Sequence, residues 1–316
     1  VLSLLLFSLE VTGPIALVVI LGMAFRRWDW INDAFVQGGS KLVFNVALPS
    51  LLFLNIVSAR PTSMPGGGII FLALVFTALW FLVLSLVTRT LVPHHDERGV
   101  FVQGSFRGNM GIVGLAFCLN AFGQEAALLA SVYLAFVTLL YNILAVVTLS
   151  RWSPRASDRH PVVGAVQDMA KNPLIIAILL ASAIVLLNIP VPNWVMDTGE
   201  YFARMTLPLA LICVGASLSW RGFIEAGRVT AWASAFKLIF IPGSAVLIAH
   251  WLGYSGIELG VFYLMSASPT AAASYVMVRA MGGNANLAAS IIATSTVLSL
   301  ITTSLGLVAL RALGWV

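Results

Sequence analysis

Two short segments carry the residue types best suited to holding a polar solute within apolar helices. They are Phe106-Arg107-Gly108-Asn109-Met110-Gly111-Ile112-Val113-Gly114 and Ser266-Ala267-Ser268-Pro269-Thr270. Asn109 both donates and accepts hydrogen bonds, which suits a carboxylate or the polar edge of a substrate. Glycine weakens a helix, and Pro269 removes one backbone donor while blocking the carbonyl a turn earlier. Each segment therefore interrupts its helix, and in hydrocarbon the freed backbone groups are tolerated only where protein or a water-lined cavity satisfies them. A helix that restarts there turns its unpaired N–H groups and positive dipole end toward the cavity and favours an anion. The facing C-terminal ends offer carbonyls, suited to a cation or a water. Arg107 either attracts an anion or fixes the crossing backbone. The plainer alternative makes the glycines close-packing positions and Asn109 a cap on a broken helix.

Other ionisable residues are read against the same background, since a charge at mid-membrane costs about 3 kcal/mol on insertion scales. Lys237 either lines a cytoplasmic pathway or snorkels to the interface. Arg204 follows Glu200 by one helical turn and is expected to pair with it. Lys41 lies close to an interface. No Asp or Glu falls at the centre of an apolar span, which disfavours an ion exchanger and favours a substrate bringing its own negative charge. His94-His95 beside Asp96-Glu97-Arg98 reads as a solvated loop, and no metal or other cofactor is expected. Cys118 and Cys213 read as buried thiols.

The elements that must position these residues follow from composition. Apolar residues make up 60% of the chain and charged residues 9%, with a mean hydropathy of +0.99. A soluble domain carries about 25% charged residues. Stretches of roughly 20 apolar residues, enough to cross about 30 Å of hydrocarbon as helix, fall near 9–25, 35–58, 68–91, 100–121, 126–150, 172–189, 199–219, 229–251, 257–280 and 287–312. The net charge of +5 has a topological explanation, so no nucleic-acid partner is implied. Arg26, Arg27, Arg89, Arg98, Arg151, Arg155, Arg159, Lys171, Arg221, Arg228 and Arg279 fall in alternate connections, with Arg60 and Arg311 on the other side. The positive-inside rule then places both termini outside and residues 151–171 in the cytoplasm.

Residues 121–131 (AFGQEAALLAS) match residues 280–290 (AMGGNANLAAS) without a gap, with six of eleven positions identical. The same shift of 159 residues carries Pro14 onto Pro173, Leu48-Pro49 onto Leu207-Pro208 and Ser58 onto Ser217. Five spans per unit make the second copy enter the membrane inverted. The expected fold is all-α, with ten transmembrane helices in two inverted five-helix repeats, 1–150 and 172–316. Residues 151–171 form a cytoplasmic linker whose part from Pro161 to Lys171 suits a short amphipathic helix. Pro65-Gly66-Gly67-Gly68 reads as a turn. The N-terminal VLSLLLFSLE lacks the basic region and cleavage site of a removable signal peptide and is expected to lead into the first span. No Walker sequence appears, which leaves an ATP-driven pump unsupported.

At these residues the chain resembles the auxin efflux carrier family, which holds bacterial permeases and the plant PIN carriers. Asn45-Val46-Ala47-Leu48-Pro49 looks like its second-span motif, residues 106–114 like its first crossover, and Asn172-Pro173-Leu174-Ile175 like the start of its second repeat. PLALICVGAS (208–217) is similar to the seventh span, and residues 267–290 are the most specific match. The resemblance implies a sodium/proton-antiporter-type fold in which broken spans four and nine cross. Spans one, two, six and seven would form a scaffold that dimerises, and spans three to five and eight to ten a transport domain moving by an elevator or rocking motion. It matches Asn109 to the asparagine that binds the substrate carboxylate, Pro269 to the crossover proline and Tyr141 to a tyrosine lining the pocket. Plant members carry proline where this chain has Gly108, and many carry a long central loop that is absent here.

The sequence therefore leads to the expectation of a plasma-membrane carrier for a small organic acid, an auxin-like weak acid or a dicarboxylate, with no enzymatic activity. Its partners would be the substrate, the lipid bilayer and a second copy of itself. Asn109 would bind the carboxylate, Arg107 would attract it, and Gly108, Tyr141, Asn142, Ser268, Pro269 and Thr270 would shape the pocket, with Asn45 and Asn55 on the scaffold side. Two alternatives differ in their observables: a sodium-coupled symporter requires a sodium gradient, and a receptor of the same fold binds ligand without flux.

Overall fold

In hydrocarbon a backbone satisfies itself only within helices or closed barrels, and this apolar chain takes the first route. The computed structural model describes residues 2–59, 66–152, 173–218 and 227–316, and among them the regular elements are all helical. The first span is α1 (Leu2–Arg27). The second joins α2 (Asp33–Leu42) through a π-helical turn (Val43–Ala47) to α3 (Leu48–Ala59), and α4 (Gly67–Leu91) follows. Next come α5 (His95–Phe106), a π-helical turn (Met110–Gly114), α6 (Leu115–Phe122) and α7 (Gln124–Trp152). The second half holds α8 (Pro173–Leu186), α9 (Asn193–Ser217), α10 (Arg228–Ala235), a π-helical turn (Phe236–Phe240) and α11 (Ile241–Trp251). It ends with α12 (Gly256–Ala267), α13 (Ala273–Ala280) and α14 (Ala285–Ala312).

Among the described residues, five segments are long and apolar enough to cross a membrane by length and composition: Asp33–Ser58, Gly67–Leu91, Gln124–Trp152, Arg228–Trp251 and Ala285–Ala312. Their outward faces keep large apolar side chains exposed, among them Phe71, Leu86, Leu247, Ile301 and Leu305. Water would penalise such a surface, whereas acyl chains would not.

Local signals account for several boundaries. Asn32 caps α2 by accepting from the Phe35 amide at 2.9 Å, and Asn284 caps α14 by accepting from Leu287 at 3.0 Å. Gly123, at φ +60°, turns α6 abruptly into α7. The segment around His95 is a helix start rather than a solvated loop. Asp96 and Glu97 lie in the first turn of α5, where their charge complements the helix dipole. Glu97 also accepts from Asn284 Nδ2 at 3.0 Å, tying the start of α5 to that of α14. Pro14 and Pro208 lie inside continuous helices. Arg204 donates to Glu200 at 2.7 Å, as its spacing predicts, and both cysteines are buried free thiols. The expected helix from Pro161 to Lys171 lies outside the described residues, as does most of the 151–171 linker.

Helix α1 packs along α9, and α3 packs along both α8 and α9. The α1–α9 approach is backbone to backbone: a Cβ on Gly22 would run into the Ile212 carbonyl, and one on Gly215 into the Val19 carbonyl. Only glycine permits that separation, since neither obstacle is a movable side chain. Gly215→Ala is expected to lower the melting temperature in detergent by about 5 °C, the scale of an overpacking penalty. An unchanged melting curve would show that the two helices part at little cost. Elsewhere α5 packs on α4, α7 and α14, and α12 packs on α6, α7 and α11. This arrangement carries the two interrupted helices into the interior.

Candidate functional site: two helix breaks locked together

Helix α5 ends at Phe106 and α12 at Ala267, so both breaks fall where glycine and proline weaken the sequence. The two non-helical segments pair with each other as a short antiparallel bridge between Gly108 and Thr270. The Asn109 amide donates to the Pro269 carbonyl at 2.6 Å, and the Ala271 amide donates to the Arg107 carbonyl at 2.9 Å. Each break thereby satisfies backbone groups that the other has freed, as burial requires. The hydroxyl of Thr270 donates to the Gly104 carbonyl at 2.6 Å, and its amide donates to Ser295 Oγ at 3.1 Å, linking α5, the bridge and α14. Ser268 instead donates to the Met265 carbonyl of its own helix at 2.7 Å.

Asn109 stands at the start of the π-helical turn. Its carbonyl accepts from the amides of Val113 and Gly114 at 3.0 and 3.2 Å. Its side chain is 9% exposed and caps nothing. Among the described residues its side-chain amide has no hydrogen-bond partner, which leaves it open to a ligand or water. The neighbouring N–H groups of the new helical start point the same way in function, being the donors that a helix leaves over.

Arg107 is buried and held on two sides. One arm of its guanidinium donates to Asn142 Oδ1 at 2.7 Å and the other to Met277 Sδ, so it clasps α7 to α13. Tyr141 is buried beside it, packs edge-on to Phe106 with centroids 5.5 Å apart, and takes a hydrogen bond from the Gly108 backbone. A small cavity lined by Phe76, Thr77, Trp80, Phe106, Tyr133, Tyr141, Ile241 and Ser266 adjoins this cluster, with a volume of about 10 Å³. That is room for about one water and not for an organic acid.

Of the residues expected at the site, Arg107, Gly108, Asn109, Tyr141, Asn142, Ser268, Pro269 and Thr270 are brought together. Asn45 is not among them: it is exposed, within the first π-helical turn, and donates to the Lys41 carbonyl of its own helix at 2.8 Å. Asn55 donates to Ser131 Oγ at 3.1 Å, between α3 and α7.

Residues 8–161 and 165–307 match the protein family described as membrane transport protein, that of the auxin efflux carriers. The chain belongs to this family. An uncharacterized transporter of Methanocaldococcus jannaschii is 23% identical to it over 98% of the chain and 99% of the relative. The uncharacterized transporter YfdV of Escherichia coli is 23% identical over 88% and 91%. A putative malonate transporter of Rhizobium meliloti is 25% identical over 93% of both. As a member of the auxin efflux carrier family, with several helices of membrane-crossing length, the chain is a multi-pass membrane protein.

Sequence reasoning did not place Lys237 at this crossing. The side chain does not snorkel. It is wholly buried, and its ammonium donates to the Ser266 carbonyl at 2.6 Å. A hypothetical Cβ on Gly108 would lie 3.1 Å from Lys237 Nζ, so the ammonium abuts the first break as well as the second. The available signal was depth, since Lys237 stands nine residues inside its span from Arg228. Arg107 and Lys237 are the buried charged residues among those described, and no acid accompanies them.

Proposed function

We propose that the protein is a secondary carrier for a small organic anion, bound where the broken fourth and ninth spans cross. The carrying observation is the Asn109 side chain, without a hydrogen-bond partner among the described residues, at a bridge built from two interrupted helices. Two buried cations without a buried acid support a substrate that supplies the negative charge. The carboxylate accepts from Asn109 Nδ2 and from the N–H groups at the start of the π-helical turn, while Arg107 adds attraction from behind. The relative named as a putative malonate transporter supports small dicarboxylates as the first class to test, with auxin-like monoacids as the second.

The transport cycle is an elevator-type movement of spans three to five and eight to ten against spans one, two, six and seven. The ten spans form two inverted repeats, with both termini outside the plasma membrane and a homodimer built through the scaffold. Packing supports the repeat: under the 159-residue shift, α1 against α9 corresponds to α8 against α3, and both pairs are in contact. Counterflow in proteoliposomes with radiolabelled malonate, malate and indole-3-acetate tests the reading. Saturable accumulation of one acid is the expected result. Saturable binding of an acid without any flux would overturn it in favour of a receptor.

A further inference from the structure

Lys237 makes no contact with the carboxylate in the anion site just drawn, yet it is the most completely buried charge among the described residues, with 0% exposure. It lies in the π-helical turn Phe236–Phe240. A single π turn re-aims the side chains of a helix, and such turns recur at functional sites. Its neighbour Phe236 meets Trp80, Phe101, Trp232 and Phe240, which makes one wall apolar. The ammonium finds one described partner, the Ser266 carbonyl at 2.6 Å. Ser266 is the second residue from the end of α12. Its carbonyl is thus one of the four that a helix leaves without internal partners, at the negative end of the dipole. The missing side chain of Gly108 makes further space, since a Cβ there would come within 3.3 Å of Lys237 Cε. The described ion pairs, Arg26–Asp33 and Arg204–Glu200, lie elsewhere.

Carbonyls at the C-terminal end of a broken membrane helix are the groups that hold a coupling cation in many carriers. Here that position already has a positive charge attached to the chain. We infer that the Lys237 ammonium is a tethered cation, standing where a free monovalent cation would otherwise sit, so that the crossing keeps its shape without bound sodium. Lys237 is a positioning residue: it holds the end of α12 against the first break. The consequence for transport, flux without a sodium requirement, rests on the carrier reading above, whereas the cation place itself rests on the geometry.

The test is thermal unfolding of the purified protein in choline, sodium or methylammonium chloride at equal ionic strength. The wild type is expected to melt at the same temperature in all three. Lys237→Ala leaves the carbonyl unsatisfied and opens a void, and should melt about 5 °C lower in choline. About half of that loss should return in methylammonium or sodium, as binding to the folded state requires. Lys237→Met, which fills the space without charge, should be lowered and not rescued. An Ala variant indifferent to the cation overturns the inference. If the Ala variant does not fold, a Met variant as stable as the wild type overturns it, and a destabilised one supports it. In counterflow, a wild type that moves malonate only with sodium also overturns it. Failure of every acid to move would instead overturn the carrier reading and leave the melting result to decide the cation.

Discussion

Asn109→Ala is expected to lower the initial rate of counterflow about 100-fold, the scale of losing a hydrogen bond to a charged group, while the melting temperature moves by less than about 2 °C. The two halves of that expectation have one source. Truncating a buried polar residue usually destabilises a protein because a partner is left unsatisfied, but the Asn109 side chain has no described partner to abandon. What holds the break is the backbone, with the Asn109 amide on the Pro269 carbonyl and the Asn109 carbonyl on Val113 and Gly114, and alanine retains all of these. The loss must therefore appear in binding or flux. Asn109→Asp is the companion variant: it keeps the shape, replaces two donors by acceptors and sets a carboxylate against the arriving anion, so it should fail as completely. If Asn109→Ala transports as fast as the wild type, the anion binds elsewhere and the role of the crossing is structural only.

Much of this centre is legible in the amino-acid sequence, because helix-weakening residues cluster with polar ones at two places. Gly108, Gly111 and Gly114 on one side and Pro269 on the other mark the two breaks, and Asn109 is the asparagine that sits in one of them. The partners are not legible there. Thr270 meets Gly104 across 166 residues and Arg107 meets Met277 across 170, and no periodicity reports contacts at such separations. The π-helical turns are equally hidden, since a single widened turn leaves the apolar pattern nearly unchanged over a whole span. One of them holds Lys237, whose burial the apolar pattern does not report.

The repeat holds a further clue. Shifted by 159 residues, Arg107 falls on Ser266, Asn109 on Ser268 and Lys237 on Ala78. Each of the two charges thus stands opposite an uncharged residue in the other half, and in the structure Lys237 donates to the repeat mate of Arg107. Each half supplies a cation that the other lacks. Asn45 illustrates the opposite case: it stands in a recognisable motif, yet its amide bonds its own helix one turn back, which a motif alone cannot reveal.

Gly108→Val is expected to reduce counterflow at least about 10-fold and to lower the melting temperature by roughly 5 °C or more, from overpacking where the backbones cross. A Cβ at this position would lie 2.5 Å from Ser268 Oγ and 3.1 Å from Lys237 Nζ. Ser268 cannot swing clear without losing its bond to the Met265 carbonyl, and Lys237 cannot withdraw without leaving the end of α12. The remaining relief is for the two breaks to separate, which strains the bridge between Gly108 and Thr270 and the bonds on either side of it. Gly108→Ala presents the same first atom with less bulk and should give a smaller loss of the same kind. The control is Gly38, inside α2, where a Cβ would meet nothing within 4 Å, so that Gly38→Ala should leave counterflow unchanged and should not lower the melting temperature. Equal effects at Gly38 and Gly108 would show that glycine acts through the unfolded chain in both places, and the close approach at the crossing would then carry no functional weight.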